Sequence, residues 1–498
     1  QTRTAAELWR VLGATPRRQK LLATYLDTDD AALGRAHAAL RLRRTGRRWL
    51  QCFKAEPPAG AVLLGRSEWE LAARAGRLRV EAFPLDEIHA SSGIDLGALE
   101  QRLMPVFTTQ FERTTAGLQL PDAKVEVAFD RGTIVAGRRH ETLREIEFEL
   151  LEGEFLALLE RVRALIPELG LELEAASKAE RGYRLAAGAR SAPAKARRPA
   201  LDARASAQKA IAPVVGSCVA QVAANAHAAA AARDPEYLHQ LRVGLRRLRS
   251  ALRVFRRFAL PERTQTLVDA LRRVLPALGE ARDWDVVTEL LERRIAPAAG
   301  QALELAATLR WARRRRARAR HAARAVAGSS AFQQLLLDAM IWAEQAGREA
   351  AGDARAQEAA LAPGTPPRPS TLTAYARRRV TRLARRVEQA GDGCDWSDAG
   401  ARHQLRIRLK RLRYACEFFA VCFKRKRMRR YLEHLEALQD VLGELNDIAT
   451  ARALCAEPLR VTDVQGAFVS GWLAAREGAL VSALADGWRA FRDQARPA

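Results

Sequence analysis

The segment His239-Gln240-Leu241-Arg242-Val243-Gly244-Leu245-Arg246-Arg247-Leu248-Arg249 returns 164 positions later as His403-Gln404-Leu405-Arg406-Ile407-Arg408-Leu409-Lys410-Arg411-Leu412-Arg413. Leu278-Gly279-Glu280-Ala281-Arg282-Asp283 returns as Leu442-Gly443-Glu444-Leu445-Asn446-Asp447, again 164 positions later. Two separated matches at one gapless offset mark a duplication. This part of the chain is therefore restricted to a fold that can be built twice and packed on itself.

The spacing within the repeat predicts helices. At about 100° per residue, His239, Arg242, Arg246, Arg249 and Arg253 share one face, and Leu241, Leu245, Leu248, Leu252 and Phe255 share the opposite one. In the second copy His403, Arg406, Lys410 and Arg413 oppose Leu405, Leu409, Leu412, Cys416 and Phe419. Glu417 stands where the first copy has Arg253. A charged helix face is usually just solvated, but such faces mix signs, because like charges three or four residues apart repel. A cationic stripe that occurs twice fits a multivalent anion. For the two histidines the residues leave open a helix-terminal or core role beside phosphate contact.

The charge distribution supports that reading. The net charge is +25. Residues 1–190 hold 29 basic and 27 acidic side chains, and the remainder holds 54 and 31, so the excess belongs to the second part. Such an excess calls for nucleic acid, an anionic membrane surface or a phosphate polymer. The stripes lack the aromatics that stack bases and the Asn and Gln that read base edges. Polyphosphate is therefore favoured over nucleic acid. The longest uncharged stretch, Ala210–Ala232, contains Pro213, Gln221, Asn225 and His227 and is expected to be a buried helix rather than a membrane span. Cys52, Cys218, Cys394, Cys416, Cys422 and Cys455 form no CxxC pair, which fits a reducing cytoplasm.

Residues 20–185 read differently. Leu40-Arg41-Leu42-Arg43-Arg44 and Trp49-Leu50-Gln51-Cys52-Phe53-Lys54, joined by Thr45-Gly46, form a hairpin pattern. Glu68-Trp69-Glu70 alternates. Lys124-Val125-Glu126-Val127-Ala128-Phe129-Asp130 alternates up to a turn expected at Arg131-Gly132. Glu145-Ile146-Glu147-Phe148-Glu149-Leu150 has a strict period of two, and residues 153–168 have helical spacing. The expected class is α+β: an N-terminal antiparallel sheet domain over 1–187, a linker over 188–205 rich in Ala, Arg and Pro, and an all-α duplicated bundle over 206–498. Its halves are expected at about 206–360 and 370–498, divided by the Pro-rich run Pro363–Pro369. Arg41 and Arg43 share a strand face, as do Glu145, Glu147 and Glu149, and Glu126 and Asp130. On residues alone, acids in water and Ile146, Phe148 and Leu150 in a core explain this pattern.

Residues 236–255 and 403–419, with the two Leu-Gly-Glu motifs behind them, resemble the CHAD family (conserved histidine α-helical domain). That family is a pair of related bundles whose facing basic surfaces bind inorganic polyphosphate. The resemblance covers roughly 205–498. Tyr25-Leu26-Asp27-Thr28, Ala39-Leu40-Arg41-Leu42-Arg43, Lys54, Ser67-Glu68-Trp69-Glu70, Phe111-Glu112-Arg113, Glu145–Leu150 and Ser177-Lys178-Ala179-Glu180-Arg181-Gly182-Tyr183 resemble, in order, the CYTH superfamily of triphosphate tunnel metalloenzymes. That resemblance implies a closed barrel of about eight strands, with charged faces turned inward and apolar faces against outer helices. It assigns phosphate contacts to Arg41, Arg43, Lys54, Arg113, Lys178 and Arg181. It assigns Mg²⁺ or Mn²⁺ to Glu145 and Glu147, the catalytic pair, with Glu149 and Asp130, then Glu68 and Glu70, as further ligands. Carboxylates repel phosphate unless a cation bridges them.

One departure stands out: the family's opening strand carries an ExExK motif that is not found here. The sequence starts at Gln1 rather than Met, and the expectation is that the motif precedes it; loss of the strand is the alternative. The expected activity is metal-dependent hydrolysis of inorganic triphosphate or a related triphosphate, with polyphosphate bound by the basic part. A non-catalytic polyphosphate binder stays open. Nucleic-acid binding is less favoured, and nothing points to the adenine pocket that a cyclase of the same superfamily needs. The expected location is the cytoplasm, at polyphosphate granules, with no membrane partner.

Overall fold

The computed structural model describes residues 5–55, 67–189, 192–231, 234–300, 303–359, 371–456, 464–494 and 496–497. They form two compact units, one built on the N-terminal residues 1–200 with 219–224 and 333–345, the other on 201–218, 225–332 and 346–498.

In the first unit, α1 (Ala5–Leu12) precedes β1 (Arg17–Asp27), α2 (Ala32–Arg35), β2 (Ala38–Thr45), β3 (Arg48–Ala55) and β4 (Ser67–Ala72). Then come α3 (Leu85–Ser92), α4 (Leu96–Leu99), β5 (Met104–Gln119), β6 (Ala123–Ala136), β7 (Arg139–Gly153), α5 (Phe155–Leu169) and α6 (Lys178–Ala186). The strands form one antiparallel sheet in the order β4-β3-β2-β1-β5-β6-β7, curled into a half-barrel. Among the described residues β4 and β7 are not paired with each other, so the sheet is open where the resemblance implied closure.

The alternation of β7 is used as the family pattern implied. Ile146, Phe148 and Leu150 pack with Leu8, Trp9 and Leu12 of α1 and Leu158 and Leu165 of α5. Glu145, Glu147 and Glu149 line the concave side. The turn expected at Arg131-Gly132 is absent: β6 runs through to Ala136, and the chain reverses at Gly137, whose φ is 57°. Gly132 has another reason. A Cβ there would lie 2.1 Å from the Gln110 carbonyl oxygen of β5, so glycine permits a close backbone approach. The Tyr25-Leu26-Asp27-Thr28 segment ends in a fully buried Asp27. Its carboxylate accepts from the backbone N–H groups of Thr28, Leu33 and Gly34, which holds the chain's entry into α2.

The rest of the chain is helical: α7 (Ile211–Ala231), α8 (Pro235–Phe255), α9 (Pro261–Leu290), α10 (Ala296–Ala299), α11 (Ala306–Ala327), α12 (Ser330–Ala359), α13 (Leu372–Asp392), α14 (Ala399–Phe418), α15 (Arg425–Cys455) and α16 (Val464–Arg492), with 219–224 of α7 and 333–345 of α12 belonging to the first unit. Between Ala186 and Gln208 no helix or strand forms among the described residues, and Pro363–Pro369 lies outside them.

The duplication is visible in the backbone. α8 and α14 start 164 residues apart, and so do α9 and α15. Asp234 and Asp398 cap the first pair, Asp234 accepting from the Glu236 N–H and Asp398 from the Gly400 and Ala401 N–H groups. Phe255 and Phe419, equivalent residues of the two copies, meet edge to face at 5.9 Å, so the copies pack about their shared Phe position. The segment Gln208–Ala231 is long and apolar enough to cross a bilayer, but 67% of its most apolar window is buried within the fold, as a core helix would be.

Candidate functional site

The half-barrel encloses a cavity of about 790 Å³ lined by Arg41, Arg43, Lys54, Glu68, Glu70, Arg113, Glu126, Glu145, Glu147, Glu149 and Lys178, among others. Strand alternation places the β2, β5 and β7 side chains here. Lys178 and Arg181 come instead from α6. That helix begins at Ser177, whose hydroxyl accepts from the Glu180 N–H while the Glu180 carboxylate accepts from the Ser177 N–H. This capping box fixes where the helix starts, and so where its first-turn cations point. Gly182 lets α6 lie against β5: a Cβ there would come within 2.0 Å of the Phe107 ring.

On one wall four elements converge. Asp130 is fully buried, and Arg113 donates to both its oxygens at 2.7 Å. Arg113 also reaches Glu147 at 2.5 Å. Lys178 Nζ contacts Asp130 at 2.8 Å, Glu147 at 2.7 Å and Glu145. Arg181 donates to Glu141 at 2.6 Å, to Glu145 at 3.0 Å and to the Thr142 carbonyl at 2.8 Å. Burial pushes the Glu145 carboxyl up, outweighing Lys178. At Glu147 burial acts the same way but Lys178 and Arg113 prevail, and the pKa falls to about 2.

The opposite wall carries Lys54–Glu68 at 2.7 Å, Arg43–Glu70 at 2.6 Å and Arg41–Glu68 at 3.7 Å. Cys52 Sγ donates to Glu68 at 3.1 Å, and burial raises its pKa to about 11. The structure thus places Arg41, Arg43, Lys54, Arg113 and Lys178 around one cavity, with Arg181 beside it, bonded to Glu141, Glu145 and the Thr142 carbonyl. Glu141, which holds Arg181, escaped the sequence reading because its partner is 40 residues away.

The acids fit a hard divalent cation. Asp130, Glu145 and Glu147 each offer an oxygen within 4.8 Å of the others, an all-oxygen set suited to Mg²⁺ or Mn²⁺. Glu149 lines the cavity without joining this group. Cys52, Glu68 and Glu70 converge equally closely, but with a protonated thiol as the third donor.

A second cluster lies in the helical unit. His239, Arg242 and Arg246 of α8, Arg282 of α9, and Arg406 and Lys410 of α14 face one another. Arg246, Arg282 and Lys410 make no hydrogen bond or ion pair among the described residues. Burial and the neighbouring cations push Lys410 down to about 6, and push His239 down to about 3. Asp283 and Asp447 stand beside Arg242 and Arg406, so the face is not purely cationic. Arg249 and Arg253 sit in a neighbouring group with Arg411. Arg413 is held by Glu417 at 2.7 Å and Glu436 at 2.9 Å. His403 Nδ1 pairs with Asn446 Oδ1 at 2.9 Å. Arg247, on the flank of the predicted helix, is buried against Phe418 near Glu417.

A curled antiparallel sheet lined by facing cations and acids, joined to a duplicated basic bundle, defines an α+β chain of two parts with charged clusters set on apolar cores. Residues 1–183 match the CYTH domain family and residues 213–456 the CHAD domain family; the chain is a fusion of a CYTH domain with a CHAD domain. An inorganic triphosphatase of Haemophilus influenzae is 31% identical over 167 residues, covering 32% of this chain and 45% of that protein. The match thus spans under half of the relative. A crystal structure of the CHAD domain from the plant Ricinus communis superposes with a TM-score of 0.50 at 28% identity, covering 61% of this chain and 98% of that one.

Proposed function

We propose that the half-barrel hydrolyses inorganic triphosphate, or a closely related triphosphate, with a divalent cation, and that the helical cluster binds polyphosphate. The observation that carries the first part is the facing of two walls across one cavity: cations from β2, β3, β5 and α6, and three converging carboxylates from β6 and β7. A triphosphate needs both, because its oxygens want cations and its charge must be neutralised before a nucleophile can approach. Arg41, Arg43 and Lys54 would grip one end of the substrate, and Arg113, Lys178 and Arg181 the other. Asp130, Glu145 and Glu147 would hold the metal, which supplies charge neutralisation at the phosphoryl oxygens. Water adds to the terminal phosphorus, the bridging P–O bond breaks, and phosphate and pyrophosphate leave. The likeness to the H. influenzae triphosphatase supports this reading.

The test is phosphate release from inorganic triphosphate with Mg²⁺ or Mn²⁺, compared with Glu147→Ala. Absence of release from the full chain would sink the enzymatic reading. It would leave a binder without turnover, a reading favoured by the carboxylates already being paired with Lys178 and Arg113. For the helical cluster, the carrying observation is that the half-buried Arg246, Arg282 and Lys410 have no ion-pair partner among the described residues. Equilibrium binding of long-chain polyphosphate against duplex DNA at matched salt tests it, and easy displacement by DNA would overturn it.

A further inference from the structure

The two copies of the repeat are not equivalent at their histidines. His403 is exposed and bonded to Asn446, which also accepts from Arg406 at 3.1 Å. The position equivalent to Asn446 in the first copy is Arg282. His239 therefore meets a guanidinium where His403 meets an amide oxygen, and its buried Nδ1 has no hydrogen-bond partner among the described residues. The buried Nε atoms of Arg246 and Arg406 likewise have none among them.

We propose that the cluster around His239, built from both copies, is a proton-accepting phosphate site: a phosphate chain seated among His239, Arg242, Arg246, Arg282, Arg406 and Lys410 brings protons in with it, whereas His403 is a fixed contact. This rests on the polyphosphate reading above and adds its regulation by pH.

The physical argument is electrostatic. Arg242 and Arg246 on α8, Arg282 and Asp283 on α9, Arg406 on α14 and Asp447 on α15 surround His239 and Lys410 among the described residues. The cations outnumber the two carboxylates, and burial weakens screening. The last basic groups to be charged are those whose neutral form costs least, His239 and Lys410. A polyanion reverses the local potential and makes their charged forms favourable. The sign follows: the protonated cluster binds more tightly, so affinity rises as pH falls. The gain through Lys410 ends near its free pKa of about 6, and that through His239 continues towards about 3. Each proton taken up changes affinity by about tenfold per pH unit within its window.

Calorimetry of the full chain with long-chain polyphosphate, at pH 7 in buffers of differing ionisation enthalpy, counts the protons. Net uptake of about one to two protons is expected. Lys410→Met and His239→Gln should each lower that count, and His403→Gln should not. Arg282→Asn, which copies the second half and disturbs packing little, should also lower it. Tight binding with no uptake, or equal losses from His239→Gln and His403→Gln, would overturn the inference. Absence of binding in every buffer would instead remove the polyphosphate reading on which it stands.

Discussion

The half-barrel and the helical cluster are both rich in cations, but they treat them oppositely. In the barrel nearly every cation has an acid: Lys178 touches three carboxylates and Arg113 two. In the bundle Arg246, Arg282 and Lys410 have none within ion-pair distance among the described residues. The first arrangement suits a ligand that arrives with a metal and leaves as products, since the paired charges can rearrange around either. The second suits a ligand that must itself supply the missing negative charge. Near-neutrality in one domain and a large excess in the other are what the proposed tasks would require.

Separating the two activities is the strongest check on this contrast. Glu147→Ala should lower triphosphate turnover by at least about 100-fold, since even outer-shell partners of metals cost 10–100-fold. Polyphosphate binding should be unchanged in that variant. Arg246→Ala should do the reverse, weakening polyphosphate binding by roughly tenfold, reducing the slope of log affinity against log salt by about one, and sparing turnover. Loss of both activities from either variant would mean the sites are not independent.

Gly182→Ala should destabilise the barrel by about 1–3 kcal/mol, because the added methyl meets the Phe107 ring and must push α6 away. Chemical denaturation reads this directly, and turnover should fall with the displaced Lys178. The smallest effects are in pH dependence. Glu147 is held below its usual value, so its stabilising contribution is full above pH 4.5 and is lost as pH falls towards about 2. Lys410 is held low, so its contribution is full above its ordinary pKa of 10.5 and is lost as pH falls towards about 6. Added polyphosphate should restore the second loss and leave the first untouched, as thermal melts across pH would record.

Much of this was legible from residue order. The alternation Glu145–Leu150 separated the acids from the core side chains, the family resemblance turned those acids toward the cavity, and the offset of 164 located where paired helices begin. What escaped were facts set by distant neighbours. Gly132 looks like a turn residue until the backbone of β5 is seen against it. Arg413 looks like part of the cationic stripe until Glu436 of α15 is seen to hold it. Arg282 sat inside a motif recognised as repeated, and its difference from Asn446 was readable. Only the fold shows that it stands beside His239.

The delivery of Lys178 by α6 has a consequence for biosynthesis. Lys178 lies 33 residues beyond Glu145 and 31 beyond Glu147, at the far end of the domain. As the chain emerges from a ribosome, Arg113 of β5 is made before Asp130 and Glu147, its later partners. Glu145 instead finds its cations, Lys178 and Arg181, only when the last helix docks. Completion of the domain and neutralisation of Glu145 are therefore the same event.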